Sequence, residues 1–155
     1  MMTQMNEQKN EMEISFDAVS QNESFARVAV AAFVTHLNPT MEEIDDVRTA
    51  VSEAVTNAII HGYERRDCGK VYLHCRLKGD VLQIEVMDKG KGIENIERAM
   101  EPLFTTRPDL DRSGMGFAFM EAFMDDLEVE SEVGKGTTIR MTKKLGSSAW
   151  IDSED

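Results

Sequence analysis

Apolar residues recur along this chain with two different periods, and the switches between them lay out its elements. From Glu13 to Val19, apolar Ile14, Phe16 and Ala18 alternate with polar neighbours, which predicts a first strand. Ser20-Gln21-Asn22-Glu23 then offers capping chemistry for a helix running toward Leu37. Pro39 and Thr40 interrupt, because the residue before a proline is pushed out of helical geometry. A longer helix is expected from about Met41 to Ile60, with Ile44, Val47, Val51, Val55 and Ala58 on one stripe and Gly62 in the place of a helix C-terminal glycine. Lys70 to Leu77 and Val81 to Met87 alternate again across Lys78-Gly79-Asp80, the pattern of a hairpin.

Beyond the hairpin the pattern loosens. A short helix is expected around Asn95 to Met100, followed by a stretch to Ser113 punctuated by Pro102 and Pro108, of the kind that serves as a lid. A third helix is expected from about Met115 to Met124. Two closing strands, near Leu127 to Val133 and Thr137 to Leu145, are joined by Gly134-Lys135-Gly136. Helices set between antiparallel strands predict an α+β, two-layer sandwich, a mostly antiparallel sheet with helices packed on one face. Residues 1–12 read as a polar lead, 13–145 as one domain and 146–155 as a polar tail.

Composition narrows the function classes. The chain has 155 residues, room for one domain, and 41% are hydrophobic, enough for an ordinary core. Its 29 acidic residues against 17 basic ones give a net charge of -12. That balance argues against nucleic acid and against anionic lipid as partners. Cys68 and Cys75 read as free thiols of a reducing compartment, and the polar start lacks the apolar run of a signal peptide. With no stretch of about 20 apolar residues, the expected location is the cytoplasm.

The residues that carry chemistry sit on the long helix and in three glycine clusters. Glu53 lies nearly opposite the core stripe, and Asn57, one turn on, stacks beside it. A carboxylate and a carboxamide on one line could serve as a base and a magnesium ligand; they could equally be a solvated face, although Ala50, Ala54, Ala58 and Ile60 make an unusually apolar frame for one. Asp88-Lys89-Gly90-Lys91-Gly92 leaves a buried strand, where an Asp can accept from an adenine amino group and glycines let backbone approach a flat ring. Ser113-Gly114-Met115-Gly116 opens the third helix with N–H groups suited to phosphate. Gly134-Lys135-Gly136-Thr137 begins the last strand. Singly, each cluster reads as a turn. No P-loop, dinucleotide fingerprint or protein-kinase signature is present.

In order, Glu53 and Asn57, Asp88-x-Gly90-x-Gly92, Gly114-x-Gly116 and Gly136-Thr137 resemble the N, G1 and G2 boxes of the GHKL ATPases, the Bergerat fold. Ser52 to Tyr63, Pro102-Leu103-Phe104-Thr105-Thr106 and Arg112 to Phe117 are similar to the anti-sigma serine kinases. Ser20 to Arg27 resembles the anti-sigma-F factors, and the likeness covers roughly residues 11 to 145. The resemblance implies that Asn57 ligates magnesium, Asp88 reads adenine and Thr137 supports it through a water. Gly90 and Gly92 would permit close approach, and Ser113, Gly114, Met115 and Gly116 would hold phosphates. Arg112 would sense the terminal phosphate of ATP against ADP, Glu53 would be the base for a serine hydroxyl, and Arg27 would face partner proteins. It further implies a homodimer that holds a sporulation sigma factor inactive and phosphorylates an anti-anti-sigma protein on serine. A nucleotide-gated binding module without catalysis and a stress-response relative are the alternatives.

Overall fold

The computed structural model describes residues 9–64, 66, 68–101 and 116–146. Strand β1 (Lys9–Asp17) leads into helix α1 (Gln21–Phe33) and a 3₁₀ turn at Thr35–Leu37. Helix α2 (Met41–Asn57) continues into a wide π-helical turn, Ala58–Gly62. Strands β2 (Lys70–Lys78) and β3 (Val81–Asp88) form the expected hairpin. The short helix α3 (Ile96–Ala99), helix α4 (Gly116–Phe123) and strands β4 (Asp126–Glu132) and β5 (Gly136–Lys144) complete the described elements.

Among the described residues the sheet has five strands in the order β1-β2-β3-β5-β4, and every pairing is antiparallel. Alternation assigns each strand two faces. Val71, Leu73, Cys75, Leu77, Leu82, Ile84, Val86, Ile139 and Met141 are buried on one of them. They form a single core with Ala26 and Val30 of α1, Val47, Val51 and Val55 of α2, and Phe117 and Met120 of α4. Helix α2 is the central one, packing against both α1 and α4. The other face carries charge. Glu13, His74, Glu85, Arg140 and Glu128 lie on one rung across all five strands, with Arg140 3.0 Å from Glu85 and 3.2 Å from Glu128.

Three boundaries differ from the sequence reading, each for a local reason. Strand β1 starts at Lys9, because backbone pairing of Lys9 to Met12 with Lys78 to Cys75 needs no apolar alternation. Helix α1 stops at Phe33, where the chain tightens into the 3₁₀ turn and Asn38 takes a left-handed φ of 51°. Gly62 is not the left-handed cap expected of it; that conformation falls on Glu64, at φ 56°. The start of α2 follows its sequence. Thr40 accepts from the Glu43 N–H at 3.0 Å while the Glu43 carboxylate accepts from the Thr40 N–H at 2.8 Å, a reciprocal cap.

Candidate functional site

Helix α2 and the π-helical turn after it present Glu53, Thr56, Asn57 and His61 to one cavity of about 370 Å³. These residues recur at three- and four-residue spacing on the side away from buried Val47, Val51 and Val55, so the core stripe and the cavity wall are two faces of one helix. The cavity is closed by Lys91 and Gly92 after β3, by Arg98 of α3, and by Gly116 and Phe117 at the start of α4. A Cβ on Gly116 would sit 3.4 Å from Glu53 Oε2, so the first residue of α4 lies against the carboxylate. Of the residues singled out in the sequence, Glu53, Asn57, Gly92 and Gly116 meet on this wall.

Asp88, Gly90 and Thr137 are not lining residues; they form a buried knot at the end of β3. Asp88 is only 3% exposed and stands on the core side of the sheet, opposite Thr137 of β5. Its Oδ1 accepts from the Gly90 N–H at 2.9 Å. Burial pushes its carboxyl up to about 6, against the pull of N–H groups of Gly90 and Thr137. Thr137 Oγ1 lies 2.8 Å from Ser131 Oγ, which also accepts from the Ile93 N–H at 2.7 Å. Ser131 carries no signal in the sequence, because a serine on an alternating strand is an ordinary surface residue until its partner strand is placed.

The glycines of this loop serve the chain itself. A Cβ on Gly90 would fall 2.1 Å from the Gly62 carbonyl oxygen, and one on Gly92, at φ 78°, 2.3 Å from that of Glu132. The close approach seen at these two glycines is therefore backbone on backbone. Between them the Lys91 N–H donates to the Gly62 carbonyl at 3.0 Å, and the Lys91 carbonyl accepts from the Gly134 N–H at 2.8 Å. Tyr63 adds a third tie: its hydroxyl accepts from the Lys89 N–H and donates to the Lys70 carbonyl, both at 2.7 Å.

Arg27 stands apart from the cavity, on α1. Its Nε lies 3.6 Å from Glu23 Oε1, and the same carboxylate accepts from the hydroxyl of Ser52, the residue before Glu53. Arg112, Ser113, Gly114 and Met115 lie outside the described residues. Thr56, His61, Lys91 and Arg98 line the cavity as well. Among the described residues no three His, Cys, Asp or Glu side chains cluster to cage a metal. The wall offers instead the oxygens of Glu53 and Asn57. One or two such donors suit a magnesium ion that keeps its waters and arrives with phosphates.

The fold and the cavity define an ATPase domain: the model of the family described as histidine kinase-like ATPase domain matches residues 17–143. Within that class the sequence is 65% identical over 137 residues to the anti-sigma F factor of Clostridium acetobutylicum, covering 88% of this chain and 95% of that one. It is 56% identical over 140 residues to the anti-sigma F factor of Bacillus subtilis, covering 90% and 96%. The chain belongs to the anti-sigma F factor family.

Solved structures agree on the fold. The RsbU and RsbW domains of a Mycobacterium tuberculosis protein superpose with a TM-score of 0.64 at 22% identity, over 88% of this chain and 32% of that one. The blue-light activated histidine kinase of Erythrobacter litoralis gives 0.55 at 20% identity, over 79% and 42%. This chain thus spans about a third and two fifths of those proteins. Among the described residues no helix is long and apolar enough to cross a membrane.

Proposed function

We propose that this chain is a cytoplasmic anti-sigma factor that binds Mg-ATP and acts as a protein-serine kinase, holding a sporulation sigma factor inactive and phosphorylating its anti-anti-sigma antagonist. The observation that carries the reading is Glu53 on the cavity wall, one turn from Asn57 and against the start of α4. Asn57 would hold magnesium, which when bound supplies charge neutralisation at the phosphates. The first N–H groups of α4 and the residues before it would face the same phosphates. By the same resemblance, Arg112 would read the terminal one.

Transfer needs three events: the serine Oγ bonds to the γ-phosphorus, the bond from that phosphorus to the β,γ-bridging oxygen breaks, and ADP leaves. The hydroxyl proton passes to Glu53. A loose transition state asks for positioning more than for strong base chemistry, so loss of the carboxylate slows transfer by roughly 10² to 10⁴ and spares binding. Asp88 would accept from the adenine amino group. Helix α1, exposing Phe25 and Val28 beside Arg27, is the face we assign to protein partners. Homodimerisation is part of the proposal and is supported by the family resemblance.

The test is transfer of γ-labelled phosphate from Mg-ATP to an anti-anti-sigma protein, with wild type and Glu53→Ala. Acid-stable label that depends on Glu53, with ATP binding retained in the variant, supports the serine kinase. Bound ATP and a held sigma factor without any transfer would leave a nucleotide-gated binding module.

A further inference from the structure

Helix α4 meets α2 at two levels, and the level away from the cavity is fastened by a residue of β5. At the cavity, Gly116 sits against Glu53, where a Cβ would come 3.4 Å from Oε2. Seven positions on along α4, the Phe123 carbonyl accepts from Lys143 Nζ at 2.8 Å, and the same ammonium stands 3.7 Å from Asp46 Oδ2. Asp46 is itself seven positions before Glu53 on α2. Seven residues make two turns and return to nearly the same side of a helix, roughly 10 Å along its axis. The two helices thus run antiparallel with equal spans between their contacts, Glu53 to Asp46 on one and Gly116 to Phe123 on the other.

Lys143 follows Ile139 and Met141 on the helix-covered side of β5, and its side chain is only 13% exposed. Its place at Phe123 suits both partners. The last carbonyls of a helix lack partners within it, and a cation complements the negative end of the helix dipole. Two further bonds fix the same end of α4: the Asp125 N–H donates to the Thr142 carbonyl at 2.9 Å, and Asp125 Oδ2 accepts from the Lys144 N–H at 2.8 Å. Nearer the cavity, Phe117 and Met120 are buried in the core. Apolar burial is non-directional, so the bonds at Phe123 and Asp125 set where α4 stands along α2.

We propose that Lys143 is a positioning residue for phosphoryl transfer: by tying the C-terminal end of α4 to Asp46, it fixes the register of α4 on α2 and holds Gly116 against Glu53. The proposal rests on the kinase reading above and adds to it a residue that touches neither nucleotide nor acceptor. A displacement of about 1 Å in reacting groups costs up to about 10²-fold in rate, even when its cause lies far from the chemistry. A slip of α4 would separate the groups facing the phosphates from the carboxylate that takes the serine proton.

The experiment compares wild type with Lys143→Met, Lys143→Arg and Asp46→Asn. It measures transfer from Mg-ATP to an anti-anti-sigma protein, and amide hydrogen exchange without nucleotide. Lys143→Met is expected to lower kcat by roughly ten- to hundredfold with little change in KM for Mg-ATP, and to speed exchange in α4 while sparing β2 and β3. Lys143→Arg, which keeps a donor and a charge, should restore most of the rate. Asp46→Asn leaves the bond to Phe123 in place and should give a smaller loss of kcat. A folded Lys143→Met with unchanged kcat would overturn the proposal, as would a loss that appears in KM alone or one that Lys143→Arg does not restore. Should Lys143→Met fail to fold, an unchanged kcat in Asp46→Asn would overturn it. If the wild type transfers no phosphate, the kinase reading itself fails, whereas unchanged exchange in α4 of Lys143→Met would tell against the tie alone.

Discussion

Gly62 and Asp88 touch: a Cβ on the glycine would lie 2.8 Å from both Cγ and Oδ1 of the carboxylate. This contact explains a glycine that does not use its conformational freedom, and it makes the first prediction. Gly62→Ala forces the buried carboxylate to turn, at an overpacking cost of about 1–3 kcal/mol. Adenine-nucleotide affinity should fall by at least tenfold while the fold persists, as calorimetric titration and a thermal melt would show. Unchanged affinity would mean that the position of Asp88 does not matter to the ligand.

Asp88 also makes stability depend on pH. Its carboxyl is raised from 3.8 to about 6 by burial. Between those values the folded chain keeps a proton that the unfolded chain has released. Stability therefore falls as pH rises through that window, and above it the buried charge costs on the order of 3 kcal/mol. Asp88→Asn should be more stable than the parent at pH 8, with the gap narrowing below pH about 6 and closing near pH 4. Melts of both proteins across that range check this; a gap that ignores pH would mean that charge is not its source.

For Asn57, the expectation concerns the metal. Asn57→Ala removes a carboxamide oxygen from the wall and should abolish the difference in ATP affinity measured with magnesium and with a chelator. The fold should be unaffected, because the residue is half-exposed on the cavity side of α2.

Tyr63→Phe keeps the ring and removes the hydroxyl. The ring fits against Gly69, where a Cβ would come within 2.4 Å of it, so packing survives the change. What is lost is a hydroxyl that satisfies the Lys89 N–H and the Lys70 carbonyl, and leaving such groups unmade costs about 1–3 kcal/mol. Urea denaturation should show that loss, with the slope unchanged.

The parts legible in the sequence share one property: their meaning lies within a few residues of themselves. Alternation in β2 and β3 gave the hairpin and its buried face. The four-residue spacing of Glu53 and Asn57 marked a second face on α2. What stayed hidden depends on residues far apart in the chain. Gly62 reads as a cap until Asp88 is seen beside it. Lys91 and Arg98 acquire a place on the cavity only when α2 supplies the facing wall. Ser131 acquires its role only when β4 brings it to Thr137 and Ile93. Gly90 and Gly92 stand out within their loop, but their contacts with Gly62 and Glu132 have no local signal.

The strand order has a consequence for synthesis. Because β5 lies between β3 and β4, Asp88 gains its neighbour Thr137 only from a segment made 49 residues later. A chain emerging from the ribosome makes its first two helices and its central hairpin long before that. It cannot assemble the buried end of the site until the last strand has left the exit tunnel. Premature termination anywhere before Gly136 should therefore leave a partly folded product without nucleotide binding. Competence to bind is conferred in one late step.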